Sequence, residues 1–146
     1  MFVCYTEPSR VPLKMKKVRV WNLVGDRVVW PEDRDEVFGR FLRRLKTVRV
    51  CLVNNLKDPR DGEPLDGFGL RGWPLCINAT LSKSERLKTL IHELSHLLFP
   101  DAEEETIREV ERVLWKKFTK KQRATLETYI PKRALQKVPS RATRQR

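Results

Sequence analysis

The stretch S-K-S-E-R-L-K-T-L-I-H-E-L-S-H-L-L-F-P, residues 82–100, combines a helical pattern with the motif H-E-x-x-H. Ser82, followed three residues later by Glu85, is typical of a capping box at a helix start, and Pro100 provides a stop. Apolar side chains recur along the stretch with the period of a helix, at Leu87, Leu90, Ile91, Leu94, Leu97 and Leu98. The sequence therefore predicts an amphipathic helix here.

The two histidines of the motif, His92 and His96, are the only histidines in the chain. They lie one helical turn apart and point away from the middle of the apolar stripe. At this spacing both rings can bind one zinc ion, with nitrogens about 2.0–2.1 Å from the metal. Glu93 would then reach a water molecule at the metal and act as a general base. The alternative is a helix that happens to carry two surface histidines.

A catalytic zinc site needs three protein ligands and one open position. Because the chain has no third histidine, we expect a carboxylate or, less readily, a cysteine such as Cys76. Glu104 is our first choice, since it lies on the edge of the inward face of the next predicted helix. The same carboxylate could instead close a capping box with Asp101. Glu103 is the runner-up, and the other acids that stay open as ligands are Asp101, Glu105 and, more remote, Glu111.

The composition indicates one domain, since 146 residues with 40% hydrophobic content can bury a real core. The three cysteines are odd in number and show no C-x-x-C spacing, which favours a reducing compartment. The chain does not open on a secretory pattern, and no apolar run approaches the roughly 20 residues of a membrane span. We therefore expect an intracellular, cytoplasmic protein without a membrane partner.

The net charge of +12 is placed unevenly along the chain. Residues 112–146 contain 12 lysines and arginines against a single acid, Glu127. Such asymmetry favours contact with nucleic acid or another polyanion, although a solvated basic segment is the plain alternative. We expect a folded domain over residues 1–130 and a disordered basic tail over residues 131–146.

The remaining patterns predict an α+β fold with a small mixed or antiparallel sheet. Strands are expected over residues 17–24 and 27–30, joined by Gly25-Asp26, and over residues 48–54. Helices are expected over residues 32–46, 102–117 and 120–129, the second with Asp101 as N-cap. Residues 55–72 have the composition of a glycine-rich loop. Residues 73–79 form a strand that Pro74 demotes to the sheet edge.

An edge strand beside a zinc-binding helix can bind an extended peptide by adding it to the sheet. The predicted substrate contacts are accordingly Trp73, Leu75 and Ile77 of this strand. A protected sheet edge without any ligand is an equally simple interpretation. Arg71 and Tyr129 are candidates for stabilising an oxyanion, because no spare histidine exists for that role.

The segment I-N-A-T-L-S-K-S-E-R-L-K-T-L-I-H-E-L-S-H-L-L-F-P-D-A-E-E-E-T-I, followed by V-L-W-K-K-F, resembles small phage-type and prophage-type zincin proteins. These are similar to the gluzincin and SprT-like metallopeptidases. The resemblance implies a short strand, an H-E-x-x-H helix and a following helix that supplies the last ligand. In gluzincins that ligand is a glutamate, which corresponds here to Glu104. SprT-like proteins use a third histidine, which this chain lacks, and the metzincin pattern fails for the same reason.

We therefore expect a zinc-dependent metallopeptidase in which the metal polarises the scissile carbonyl and Glu93 transfers a proton to the leaving amine. Two other functions stay open. One is a nucleic-acid-binding protein with a structural or vestigial zinc site and a functional basic C-terminal region. The other is a zinc hydrolase that acts on a bond other than a peptide bond.

Overall fold

A computed structural model of the chain describes residues 22–24, 27–29, 34–70 and 72–139. The chain divides into two units, residues 1–32 and 33–146. In the first unit, strands β1 (Asn22–Val24) and β2 (Arg27–Val29) pair antiparallel, with Asn22 opposite Val29. This pairing matches the predicted hairpin, whose turn and outer strand residues lie outside the described residues.

The second unit is a mixed α+β structure, as expected from the sequence. Its described residues form four helices, α1 (Arg34–Leu45), α2 (Lys83–Leu98), α3 (Glu104–Lys117) and α4 (Lys120–Glu127). They also form four strands, β3 (Val50–Val53), β4 (Gly67–Phe68), β5 (Leu75–Asn78) and β6 (Ala134–Leu135). Each helix lies within the range that its apolar periodicity predicts.

The caps of these helices agree with the sequence signals at α2 but not at α3. Ser82 caps α2, and its side chain and that of Glu85 each accept a hydrogen bond from the other residue's backbone N–H. At α3 the N-cap is Glu103 rather than Asp101, and no side chain caps the helix end. The prediction of Asp101 as N-cap is therefore wrong. The alternative capping box between Asp101 and Glu104 is not formed either, which leaves the Glu104 carboxylate available for other contacts.

The sheet has the strand order β4-β5-β3-β6. Strand β3 pairs in parallel with β5 and β6, whereas β4 runs antiparallel to β5. The prediction that residues 73–79 form an edge strand is wrong, because β5 lies between β4 and β3. Pro74 does not interrupt the pairing, since it precedes the strand and Leu75 N–H already donates to the carbonyl of Arg49 at 2.8 Å. The edge on that side is β4, inside the segment predicted to be a loop.

The described part of the basic C-terminal segment is not a disordered tail. Ala134 and Leu135 form β6 and pair with Leu52 and Val53 of β3. Leu126 of α4 is fully buried, so the preceding basic helix also belongs to the packed unit. This strand has only two residues and lies among lysines and arginines, so the composition of the segment did not predict it. Residues 140–146 lie outside the described residues.

The apolar stripe of α2 forms the centre of the core, with Leu87, Leu90, Ile91 and Leu94 all buried. Helix α2 packs against β4 and β5 on the sheet and against α3. The buried residues of α3 are Ile107, Val110 and Leu114, one face of that helix. Within the described ranges, no helix has the length and apolar character that crossing a bilayer would require.

Candidate metal centre

The two motif histidines lie where α2 packs against α3. The side chain of His92 is 15% exposed and that of His96 is 29% exposed, and their ring centroids are 4.9 Å apart. The helix turns both rings away from the apolar stripe, as the spacing predicts, yet the neighbouring helix covers them in part. They are therefore half-buried groups at a helix interface rather than ordinary surface histidines.

Glu104, in the first turn of α3, brings its carboxylate onto both rings. One oxygen lies 2.9 Å from Nε2 of His92 and the other lies 2.9 Å from Nε2 of His96. Burial acts to raise the pKa of Glu104, but the charges of the two histidines and of Arg108 outweigh it and lower that pKa. The group is therefore ionised in the range where a cation would bind.

The other proposed ligands lie elsewhere. Asp101, Glu103 and Glu105 are exposed, and no hydrogen bond joins them to the histidines among the described contacts. Cys76 is fully buried in β5, and burial raises the pKa of its thiol to about 12. A thiol with such a pKa stays protonated at neutral pH and is a poor metal ligand.

One ligand atom from each of His92, His96 and Glu104 lies within 4.8 Å of the others, so the three could hold one metal ion. Two imidazole nitrogens and one carboxylate are a donor set typical of catalytic zinc, which keeps a fourth position open. Both Nε2 atoms already face the same carboxylate, as they would around a shared cation. The residues present thus fit a zinc ion.

A second carboxylate, Glu111, contacts the opposite nitrogen of His92. Its Oε1 lies 2.9 Å from Nδ1, on the side of the ring away from Glu104. The sequence analysis placed Glu111 further from the histidines than the other acids. This contact shows that prediction to be wrong. Glu104 and Glu111 are seven residues, or two turns, apart, so a helix that turns Glu104 to the histidines also turns Glu111 to them.

The hydrogen bond to Glu111 fixes the orientation of the His92 ring and determines which ring nitrogen a metal would bind. With Nδ1–H donating to Glu111, the Nε2 lone pair of His92 is directed to the Glu104 side. Burial acts to lower the pKa of His92, but its hydrogen bond to Glu111 and the surrounding carboxylates outweigh burial and raise it. Without a cation, two carboxylates on one ring favour the doubly protonated imidazolium; a bound cation would take the place of the Nε2 proton.

Replacing Glu111 by Gln should weaken zinc binding by about 10–100-fold, because the ring loses its charged acceptor while the three candidate ligands stay. The measurement is a competition titration with a zinc chelator of known affinity. Glu105→Gln is the matched control, since it removes one charge from an exposed position of the same helix. Equal zinc affinities for the two variants would contradict the orienting role of Glu111.

The Glu93 side chain lies against Gly67 and Gly69 of the β4 region and lines the same groove as His96. It is 9% exposed and counts among the three buried polar or charged residues of the described chain. Burial raises the pKa of Glu93 to about 7; His92 lowers it, and Glu104 and Glu111 add to the rise. A carboxylate with a pKa near neutrality is suited to accept and return a proton.

Two glycines of β4 and its following loop make room for Glu93. A side chain at Gly67 would place its Cβ 2.4 Å from Cγ2 of Thr89 and 3.1 Å from Cγ of Glu93. At Gly69 the Cβ would lie 3.3 Å from Oε1 of Glu93. The glycine content that predicts a loop here therefore has a different cause, namely the close approach of β4 to α2.

The variant Gly67→Ala should be destabilised by about 1–3 kcal/mol, because a new methyl group must displace the short side chain of Thr89 or separate β4 from α2. Gly39→Ala is the control, since its Cβ would meet Arg43 Nη1 at an ordinary 3.6 Å. In the helix interior that change should stabilise the protein by about 0.5–1 kcal/mol. Urea unfolding of the three proteins tests this, and equal midpoints for Gly67→Ala and the parent would refute the close packing.

A groove of about 1030 Å³ runs past Glu93 and His96. Its wall includes Gly67, Phe68 and Gly69 from the β4 region, together with Trp73 and Leu75. Of the three predicted substrate contacts, Trp73 and Leu75 line the groove and Ile77 does not. Leu75 and Ile77 are both fully buried, so Trp73 alone of the three is accessible to a ligand. Of the two oxyanion candidates, Tyr129 does not line the groove, and Arg71 lies outside the described residues.

Comparisons with models of known protein families, with curated proteins and with solved structures find no match to this chain. What the site does must therefore be inferred from its own residues.

Proposed function

We propose that this protein is a zinc-dependent metallopeptidase of the gluzincin-like type, with His92, His96 and Glu104 as metal ligands and Glu93 as general base. The observation that carries the proposal is the joint contact of both Nε2 atoms with the Glu104 carboxylate, beside a buried glutamate. A structural zinc site would have four protein ligands, and only three candidate groups meet at this point in the described chain.

A zinc ion held at this site supplies a Lewis acid that polarises a carbonyl group and lowers the pKa of water to about 7. The protein's part is proton transfer and positioning. Glu93 accepts a proton from the attacking water and gives it to the leaving amine as the C–N bond breaks. The glycines at positions 67 and 69 leave its carboxylate room at the groove.

Strand β4 supports a peptide as the substrate. Asn78 N–H donates to the carbonyl of Asp66 at 2.7 Å, which makes these two residues a hydrogen-bonded antiparallel pair. By the alternation of such pairs, the N–H and C=O of Gly67 point away from β5, towards the open side of the sheet. An extended peptide could pair with these groups by strand addition and pass in front of Glu93.

The two other functions keep the status of alternatives. A non-peptidase hydrolase would use the same metal and base, but it would gain nothing from an edge strand lining the groove. A nucleic-acid-binding role would rest on exposed cations outside the groove, among them Lys116, Lys120, Lys121, Lys132, Arg133 and Lys137. Helix α4 and strand β6 are packed into the unit, so a truncation would disturb the fold. The nucleic-acid-binding role is therefore tested in the full chain, with these lysines replaced by uncharged residues.

The test of the proposed function is cleavage of a mixed peptide library, read by mass spectrometry. The zinc-loaded protein should produce new peptide termini, a chelator should stop the reaction, and added zinc should restore it. Cleavage that persists with the chelator, or no cleavage of any peptide by zinc-loaded protein, would overturn the proposal. A contaminating protease is excluded by running His96→Ala in parallel, which should be inactive.

A further inference from the structure

The groove beside Glu93 carries an unbalanced positive charge. Its ionisable lining residues in the described chain are Arg44, Arg49, Asp58, Arg60, Glu93 and His96. Asp58 is already occupied, because Arg60 donates to its two carboxylate oxygens at 3.0 and 2.7 Å. Glu93 is reserved for the proton transfer. Arg44 and Arg49 therefore face the groove without a carboxylate partner among its described lining residues.

Arg44 is joined to α2 through its side chain, and Arg49 is joined to β5 through its backbone carbonyl. Arg44 Nη2 donates to the carbonyl of Leu97 at 3.3 Å, and Leu97 directly follows the ligand His96. The carbonyl of Arg49 accepts from Leu75 N–H, and Leu75 packs near Gly69, which lies against Glu93. Each guanidinium group has five N–H donors, so one hydrogen bond to Leu97 leaves most of those of Arg44 for a ligand.

We infer that the groove selects peptide segments with an acidic side chain next to the scissile bond, and that Arg49, with Arg44, binds that carboxylate. This inference rests on the proposed function, because it assigns a substrate class to the same site. Arg44 and Arg49 are half-buried residues, and guanidinium groups form strong, often bidentate hydrogen bonds with a carboxylate. An uncharged or basic side chain at the same place would leave them without an anion.

Binding rather than cleavage tests the inference, so that its failure is distinguishable from failure of the peptidase proposal. Zinc-loaded Glu93→Gln binds two fluorescent peptides that differ only by Glu or Gln at one central position, and the readout is fluorescence anisotropy. The Glu peptide should bind about tenfold more tightly, as expected for charge-assisted hydrogen bonds. The difference should shrink as salt is added, because the ions are partly exposed to solvent.

A second change, made in the same background, locates the preference. Arg49→Gln should bring the two affinities close together, and Arg49→Lys should retain part of the difference because it keeps the charge. Arg43→Gln is the matched control, since Arg43 is exposed, next to Arg44, and outside the groove lining. It should leave the preference intact.

Three results would overturn the inference. The first is equal binding of the Glu and Gln peptides, or binding of neither. The second is an equal loss of preference in Arg43→Gln and Arg49→Gln, which would assign the effect to the general positive charge. The third is a single-stranded oligonucleotide that competes more strongly than the Glu peptide and loses its advantage in Arg49→Gln, which would make the groove a nucleic-acid site.

Discussion

Replacing Glu93 by Gln should reduce peptide hydrolysis by at least about 10²–10⁴-fold, equivalent to about 3–5 kcal/mol of activation free energy. The amide cannot accept a proton from water at neutral pH, whereas its shape and helix propensity match those of the acid. Zinc content and fold should therefore survive. The measurement is the initial rate of cleavage of one peptide, compared with zinc per chain in the same preparation.

Thermal unfolding supplies the control for this variant. Because Glu93 is buried and its pKa is raised to about 7, ionised Glu93 costs folding free energy above neutral pH, and the neutral amide avoids that cost. Glu93→Gln in the metal-free protein should be no less stable than the parent at pH 8. A variant that keeps zinc and cleaves as fast as the parent would show that Glu93 is not the base.

Replacing Glu104 by Ala should remove the metal and the activity together. The change deletes the one carboxylate that contacts both Nε2 atoms, so two histidines alone remain as ligands. Loss of a direct ligand should cost more than about 100-fold in zinc affinity, the upper end found for groups that only support a ligand. His92→Ala should behave in the same way, in contrast to Glu93→Gln, which loses activity alone.

Glu105→Ala is the matched control for Glu104→Ala. It removes a neighbouring carboxylate from the same helical turn, but Glu105 is exposed and makes no described contact with either histidine. Chelator competition and peptide cleavage should both be unchanged in this variant. If Glu104→Ala instead kept its zinc and its activity, the third ligand would have to be another group, and the gluzincin-like interpretation would fail.

The helices and the motif could be predicted because both depend on the spacing of residues that are close together in the sequence. The capping box of Ser82 and Glu85 and the apolar period of α2 depend on contacts a few residues apart, and both are present in the structure. Once α2 is a helix, the relation between His92 and His96 follows from its geometry. The order of strands is different, because it depends on pairing between distant segments.

The wrong predictions concern features that depend on how helices and strands pack against one another. Pro74 indicates an edge, yet β5 begins after it and gains β4 as a neighbour from a segment whose glycines resemble a loop. Those glycines serve the close approach of Gly67 to Thr89 and Glu93, a contact that no local pattern reveals. Glu111 was missed as a partner of His92 because the orientation of α3 against α2 is a tertiary property.

The most direct test of the central claim is a crystal structure of the zinc-loaded protein with anomalous diffraction measured at the zinc edge. The account predicts one strong anomalous peak about 2.0–2.2 Å from Nε2 of His92, Nε2 of His96 and a carboxylate oxygen of Glu104. Glu111 should remain on Nδ1 of His92. No peak at this position, or a peak whose protein ligands exclude Glu104, would contradict the account.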